Sequence, residues 1–220
     1  MKIFLDTANL SAIENAKKTG LIDGITTNPT HLSKEGGDSL DLLKKICALM
    51  APADVSIEVT EKEPDKIYQQ AQKISLIAPN VVVKIPCTIE YAPIIKKLVE
   101  EGIAINMTLL FSANQGLLMA KLGVKYISPY VGRLDDIESN GIKLIYDLKK
   151  ILSNYNFKTQ LLAASLRTPV HFHEAALAGA DCATIPPLLF ETLLTHPLTT
   201  KGIGLFDEDW QKLGIKKFPQ

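Results

Sequence analysis

The chain has 220 residues, of which 46% are hydrophobic and 22% are charged, which provides enough apolar material for one substantial folded domain. Its 24 basic and 24 acidic residues give a formal net charge of zero. This balance argues against binding to nucleic acids or anionic membranes, because both favour a basic excess. Only two of the basic residues are arginines, Arg133 and Arg167, and arginine is the side chain used where a fork of donors is needed.

Short apolar runs alternate with longer amphipathic stretches along the whole chain. The runs that predict strands are 2–6, 24–27, 55–59, 81–85, 103–108, 126–129, 160–164 and 182–185. The stretches that predict helices are 9–18, 40–49, 65–77, 89–101, 112–122, 136–152, 169–178 and 188–195. A helical crossover after each strand allows the next strand to lie parallel to it. We therefore predict eight β/α units of about 24 residues each, near the lower size limit for an eightfold barrel.

Eight such units form either a doubly wound open sheet or a closed barrel. The segment after the first strand reads DTANLS and lacks the GxGxxG motif of dinucleotide-binding sheets. Seven consecutive predicted strands end in polar or ionisable residues, and the carboxyl ends of the strands are where barrel enzymes carry out chemistry. We therefore predict an α/β fold, a (β/α)8 TIM barrel. Residues 1–220 would form a single domain, with 202–220 as an extra C-terminal helix.

Lys84 lies in VVVKIP, a run that is apolar on both faces of the predicted strand. Burial disfavours the ammonium form and should lower the pKa of this lysine, and a neutral amine attacks carbonyl carbons. Glu58, one strand earlier, is a candidate proton carrier. The alternative interpretations are a snorkelling lysine or a buried ion pair with Glu58. Asp6 is either a third ionisable site residue or the N-cap of the helix that begins near Asn9.

Several classes of site and segment are not expected in this chain. Cys47, Cys87 and Cys182 are far apart and odd in number, which is typical of a reducing compartment and predicts neither a disulfide framework nor a CxxC metal site. His171 and His173 are two residues apart on a predicted helix, so they do not share a face, and no third ligand is evident. We expect no metal, no cofactor, no N-terminal signal peptide and no membrane span, and hence a cytoplasmic protein.

Six segments at the predicted strand ends occur in a characteristic order: FLDTAN, GITTNPT, VVVKIP, INMTLLFS, SPYVGRLDD and LAASLRTP. With the closing FDEDW segment, this set resembles the small transaldolase family, which includes the transaldolase-like fructose-6-phosphate aldolases. The resemblance covers the whole chain, and the ordered set is specific although each motif alone is weak. It implies a class I aldol mechanism in an eightfold barrel that acts on phosphorylated sugars.

The resemblance also implies a role for each residue of the site. Lys84 would attack the ketose carbonyl and form a Schiff base, while Glu58 would act as general acid and base through a water that Thr108 helps to position. Asp6 would take the C4 hydroxyl proton in cleavage and return it in condensation. The implied substrate-binding residues are Asn28, Asn106 and Ser128 for the dihydroxyacetone unit, Arg133, Ser165 and Arg167 for the terminal phosphate, and also Thr27.

Two activities compete within this family. Transaldolases keep the dihydroxyacetone unit bound until an aldose phosphate accepts it, whereas the aldolase branch releases it. The transaldolase pattern has Glu on strand three where the aldolase pattern has Gln, and here Glu58 is present; Asn106, Ser128 and Arg167 also match the transaldolase pattern. Tyr130 departs from it, because most transaldolases of this type have Phe there and the aldolase branch has Tyr. A tyrosine hydroxyl at this position either shares the catalytic water or is satisfied locally.

We therefore predict a transaldolase of the non-oxidative pentose phosphate pathway with some aldolase side activity from Tyr130. It would pass dihydroxyacetone between sedoheptulose 7-phosphate or fructose 6-phosphate and glyceraldehyde 3-phosphate or erythrose 4-phosphate. The alternatives are a fructose-6-phosphate aldolase and a non-catalytic sugar-phosphate-binding barrel. Lys84 and Glu58 argue against the last of these, because binding alone needs neither.

The C-terminal segment GLFDEDWQKLG places apolar residues on one face of a helix. These residues are Leu205, Phe206, Trp210 and Leu213. The helix would cover the barrel or pack on a neighbouring subunit. In the family that this chain resembles, such a segment is associated with oligomers, often pentamers paired into decamers. We therefore expect a homo-oligomer, either a pentamer or a decamer.

Overall fold

Eight parallel strands form a closed barrel in a computed structural model that describes residues 1–214. Each strand pairs with the next in chain order, and the last pairs with the first. The strands are β1 (Lys2–Asp6), β2 (Gly24–Thr26), β3 (Asp54–Glu58), β4 (Val81–Pro86), β5 (Ile105–Leu110), β6 (Tyr126–Pro129), β7 (Gln160–Ala163) and β8 (Cys182–Ile185). The predicted (β/α)8 barrel is confirmed, and each strand begins within two residues of its predicted position.

Helices surround the barrel and connect its strands. They are α1 (Leu10–Lys18), α2 (Pro29–Glu35), α3 (Ser39–Met50), α4 (Pro64–Ser75), α5 (Ala92–Glu100), α6 (Ala113–Lys121), α7 (Val131–Asp135), α8 (Gly141–Asn154), α9 (Pro169–Leu177), α10 (Pro187–Leu193) and α11 (Pro197–Lys212). A short 3-10 turn, Ile89–Tyr91, precedes α5. No helix among residues 1–214 is long and apolar enough to cross a lipid bilayer.

The helices differ from the prediction mainly at two short insertions, α2 and α7. Each follows a strand directly and has seven or five residues, too few to produce a recognisable helical period. The predicted helix 136–152 starts later, at Gly141, because the chain turns after α7 and Asn140 caps the new helix. The extra C-terminal helix begins at Pro197, before the predicted start at residue 202, and residues 215–220 of that predicted segment lie outside the described residues.

An apolar cluster fills the inside of the barrel. Phe4 and Tyr126 meet edge to face with their ring centroids 5.8 Å apart, and Val82 and Leu162 pack against them. Gly24 leaves room for this packing, because a Cβ at that position would lie 2.7 Å from the Phe4 ring. Side chains alternate along a strand, so the inward residues two positions further on form the next layer. That layer lies at the carboxyl ends of the strands, where polar residues were predicted.

A larger apolar core lies between the outside of the strands and the helices. Outward residues such as Ile25, Val83 and Ile127 are fully buried and pack with helical residues such as Ile67 and Leu148. Burial on both faces explains why the strands read as nearly continuous apolar runs. The inward polar residues are therefore held on rigid strands whose positions are set from outside by this core.

Candidate active site

A cavity of about 120 Å³ lies at the carboxyl-terminal edge of the barrel. Its inner wall is polar and comes from side chains on or just after different strands: Asp6, Thr26, Asn28, Lys84, Ser128 and Thr184. Tyr130, Arg133 and Ser165 line its mouth on the side of β6 and β7. The cavity therefore brings together most of the polar residues that end the predicted strands.

Lys84 is buried, with 4% of its surface exposed. The parallel register pairs Lys84 on β4 with Glu58 on β3, and the Lys84 Nζ atom lies 3.1 Å from Oε2 of Glu58. Nζ also donates a hydrogen bond to the carbonyl of Thr27 at 3.3 Å. The amine is thus held between a carboxylate and a backbone acceptor, and the snorkelling interpretation is wrong.

The pKa of Lys84 is raised above its ordinary value. Burial acts to lower it, but the Tyr130 phenol oxygen and the carboxylates of Glu58 and Asp6 together raise it by more. The expectation of a lowered pKa for Lys84 is therefore wrong, because Tyr130 and the two carboxylates outweigh the effect of burial. The amine becomes a nucleophile only when a neighbouring group takes its proton, and Glu58 is in contact with it.

Asp6 accepts a hydrogen bond from the hydroxyl of Thr26 at 2.7 Å through Oδ1. Thr184 lies 2.6 Å behind that hydroxyl, and because Thr26 donates to Asp6, Thr184 donates to Thr26. Burial raises the pKa of Asp6, but His31, Lys84 and Thr26 outweigh it, so the pKa is lowered and the carboxylate is ionised at neutral pH. The N-cap interpretation of Asp6 is wrong, because the side chain of Asn9 caps α1.

Three buried polar side chains form a chain of hydrogen bonds across the strands beside Lys84. The Ser128 hydroxyl donates to Oδ1 of Asn106 at 2.6 Å, and Nδ2 of Asn106 donates to the Ser56 hydroxyl at 3.1 Å. These bonds orient the Asn106 amide and leave no freedom to flip it without losing both partners. The wall of the cavity is therefore pre-organised for polar groups of fixed direction.

Thr108 and Tyr130 share a hydrogen bond between their hydroxyl groups, 2.9 Å apart. The Tyr130 ring meets Phe111 edge to face at 5.7 Å, and the guanidinium carbon of Arg133 lies 5.0 Å from the Tyr130 ring centroid. Thr108 is buried on β5, so the phenol is tied to the barrel wall. The hydroxyl of Tyr130 is thus held by another residue of the predicted site.

The two arginines lie in different environments. Arg133 lines the cavity, whereas Arg167 forms a two-pronged ion pair with Asp136, with N–O distances of 2.5 and 2.6 Å. Ser165 lines the cavity with a left-handed backbone, φ 58°, and its carbonyl accepts from the Gly132 amide at 3.0 Å. The structure therefore brings Arg133 and Ser165 to the cavity and holds Arg167 against Asp136.

Two further predicted residues support the fold as well as the cavity. The hydroxyl of Thr27 donates to the carbonyl of Ser56 at 2.8 Å, so Thr27 presents its carbonyl, not its side chain, to Lys84. Asn28 lines the cavity and also caps α2, where its side chain accepts from the amide of His31 at 2.9 Å. The Asn-Pro turn therefore positions cavity residues from β2.

Sequence reasoning missed several residues that complete the site. Thr26 and Thr184 share the inward face of their strands with other cavity residues, so their alternation along the strand would have revealed them. His31 and Asp136 carried no such signal, because their contacts depend on how α2 and the segment after α7 fold back.

His171 lies 3.1 Å from Asp135, measured from Nε2 to Oδ2. Within residues 1–214 no three His, Cys, Asp or Glu side chains form a cluster suited to a metal ion.

Comparison with known proteins identifies the family. Residues 3–217 match the family described as Transaldolase/Fructose-6-phosphate aldolase. The chain belongs to the transaldolase/fructose-6-phosphate aldolase family. A protein named probable transaldolase from Lactiplantibacillus plantarum is 51% identical over 96% of this chain and 97% of its own.

Two other members of the family are similarly close. A probable transaldolase from Bartonella henselae is 47% identical over 97% of this chain and 98% of its own. A protein named probable transaldolase 2 from Listeria monocytogenes is 48% identical over 99% of both chains. The similarity therefore extends over the entire barrel, including every strand that contributes to the cavity.

Replacing Glu58 with Gln removes the negative charge beside Nζ of Lys84 and should lower the pKa of that amine. We expect the pH midpoint for trapping Lys84 with a carbonyl compound and cyanoborohydride to fall by about one unit, even if the rate falls as well. Glu100→Gln is a control, because Glu100 forms an exposed pair with Lys96 on α5. An unchanged midpoint in Glu58→Gln would contradict the role of this carboxylate in setting the charge of Lys84.

Proposed function

We propose that this protein is a transaldolase that transfers a dihydroxyacetone unit between phosphorylated sugars through a Schiff base on Lys84. The main support is the buried amine of Lys84, which contacts the Glu58 carboxylate at the carboxyl-terminal edge of the barrel. The names of the family's close relatives support the same activity. A barrel that only bound sugar phosphates would not need a buried lysine, because burying its charge has a large desolvation cost.

In the proposed reaction, Glu58 takes the proton of Lys84, directly or through a water. The neutral amine attacks C2 of fructose 6-phosphate or sedoheptulose 7-phosphate, and loss of water gives a protonated imine. Asp6 then takes the C4 hydroxyl proton. The C3–C4 bond breaks, its electron pair moves into the imine to form an enamine, and an aldose phosphate leaves.

Transfer is the reverse sequence with a different aldehyde. The enamine attacks the carbonyl carbon of glyceraldehyde 3-phosphate or erythrose 4-phosphate, and Asp6 returns its proton to the new C4 oxygen. Hydrolysis of the imine then releases the ketose and restores Lys84. The lowered pKa of Asp6 supports a base that is ionised before each cleavage.

The remaining polar residues are proposed to bind the substrate. Asn28, Asn106 and Ser128 would hold the hydroxyl groups of the dihydroxyacetone unit, with Asn106 and Ser128 oriented by their mutual hydrogen bond. Arg133 and Ser165 would bind the terminal phosphate at the mouth of the cavity. Arg167 would join them only after its ion pair with Asp136 opens.

We infer that the enzyme works in the cytoplasm, in the non-oxidative pentose phosphate pathway. Three free cysteines support a reducing compartment. Its assembly is proposed to be a pentamer or decamer, as the resemblance to the family implies. The structure supports an assembly of some kind, because α11 has no buried residue and Ile203 and Phe206 on this helix, with Leu213 just after it, are exposed. A helix with exposed apolar residues is stabilised when another subunit covers them.

A second candidate activity is release of free dihydroxyacetone, as in fructose-6-phosphate aldolases. The hydrogen bond between Tyr130 and Thr108 favours it, because a phenol fixed near the Schiff base, or a water it holds, is a proton source for the enamine carbon. Protonation there ends the transfer and leaves an imine that hydrolyses. We expect this as a side activity, because Glu58 and the named relatives favour transfer.

Borohydride reduction with fructose 6-phosphate, followed by peptide mapping, tests the Schiff base. We expect one adduct, on Lys84, and Lys84→Met should lose both the adduct and transfer activity by roughly three orders of magnitude or more. Lys96→Met is the control, since Lys96 lies exposed on α5. An adduct on another residue, or no adduct, refutes the mechanism.

A second assay separates transfer from release, by measuring free dihydroxyacetone with and without erythrose 4-phosphate.

Tyr130→Phe should lower the release of dihydroxyacetone from fructose 6-phosphate several-fold relative to transfer, because it removes only the hydroxyl group. Tyr146→Phe, an exposed tyrosine on α8, should change neither rate. The proposed side activity of Tyr130 fails if the ratio of release to transfer stays at the wild-type value.

Sedimentation velocity should give a species of five or ten times the chain mass of 24.1 kDa. Phe206→Asp should shift it toward smaller species, because a charge on the exposed face of α11 opposes apolar contact between subunits. Glu208→Gln, on the same helix, should not. A wild-type protein that sediments as a monomer excludes the proposed assembly.

A further inference from the structure

His31 lies beside the carboxylate that the proposed mechanism uses as its base. Nε2 of His31 is 3.4 Å from Oδ2 of Asp6, and the side chain of His31 is 22% exposed. The other carboxylate oxygen, Oδ1, is taken by the hydroxyl of Thr26. Asp6 is thus contacted from both sides, by a residue of β2 on one side and by a residue of α2 on the other.

The position of His31 is set by the turn that carries other residues of the cavity. Asn28 caps α2, and both its side chain and its carbonyl accept from the backbone amide of His31, at 2.9 and 3.1 Å. Pro29 occupies the first helical position and restricts the backbone there. The imidazole therefore approaches Asp6 from a well-defined helical turn.

The geometry points to His31 as a positioning residue for the reaction, which holds the Asp6 carboxylate in its ionised form and in a fixed orientation for the C4 hydroxyl of the sugar. This inference rests on the proposed function, and it adds a residue outside the barrel strands to the acid–base machinery. His31 acts through Asp6 and makes no contact with the reacting atoms.

The charges around the pair support this direction of effect. Lys84 on β4 also favours the ionised form of Asp6, and both His31 and Lys84 lower the pKa of Asp6 while burial raises it. Lys84 is itself paired with Glu58 on β3. On the same helix as His31, Glu35 accepts from the side chain of Asn9. Removing His31 therefore leaves Asp6 with Lys84 and the Thr26 hydroxyl as the groups that lower its pKa.

The test is the pH dependence of kcat/KM for transfer in His31→Leu and His31→Gln. Without His31 the pKa of Asp6 should rise, and Asp6 is then protonated at higher pH. The acid limb of the kcat/KM profile should therefore move upward by about one pH unit in His31→Leu. His31→Gln keeps a hydrogen-bond donor that can reach Asp6, so it should shift the acid limb by less than His31→Leu. His173→Leu is the matched control, because His173 is exposed on α9, and it should leave the profile unchanged.

The result that overturns the inference is an acid limb in the His31→Gln and His31→Leu enzymes that coincides with the wild type. If His31→Leu does not fold, the smaller shift in His31→Gln decides. Borohydride trapping with fructose 6-phosphate distinguishes a failure of the His31 hypothesis from a failure of the proposed function. If Lys84 is trapped but the acid limb of the His31 variants does not move, only the role of His31 is refuted. If Lys84 is not trapped in the wild type, the proposed function itself is refuted.

Discussion

The contact between Lys84 and Glu58 is the constraint on which the rest of the site depends. Moving either charge out of water costs several kcal/mol, and their mutual attraction offsets this only if the geometry is maintained. The barrel maintains it by register, since neighbouring parallel strands place the two residues opposite each other. Losing one partner would leave an uncompensated buried charge, at a cost of about 3–5 kcal/mol. The ion pair therefore constrains folding, and in the proposed mechanism it places beside the amine the carboxylate that takes its proton.

The surrounding structure limits what this pair can do. Asp6 adds a second carboxylate near the same ammonium group, and the result is a lysine whose pKa is raised although it is buried. In the proposed mechanism the amine gives its proton to Glu58 before it attacks the substrate carbonyl, so its reactivity depends on this carboxylate as well as on burial.

The eight apolar runs and the amphipathic stretches between them predicted the β/α units, and the polar residues at the strand ends favoured the closed barrel over an open sheet. The sequence also indicated that Lys84 is a buried charged residue, since a lysine in VVVKIP is surrounded by apolar side chains. The direction of the Lys84 pKa was wrong because it depends on how many carboxylates converge from other strands. His31 was missed because α2 is too short to show a period, and the ion pair of Arg167 with Asp136 joins residues from separate loops.

The apolar floor of the barrel has a consequence for the order of events. Phe4, Tyr126 and their neighbours close the barrel below the polar layer, so the cavity opens only toward the carboxyl ends of the strands in the described part of the chain. In the proposed transfer, the first aldehyde must leave by the same mouth through which the second one enters. In this mechanism the two aldehydes would occupy the same place one after the other, and transfer would follow a ping-pong sequence with the covalent enamine between its two halves.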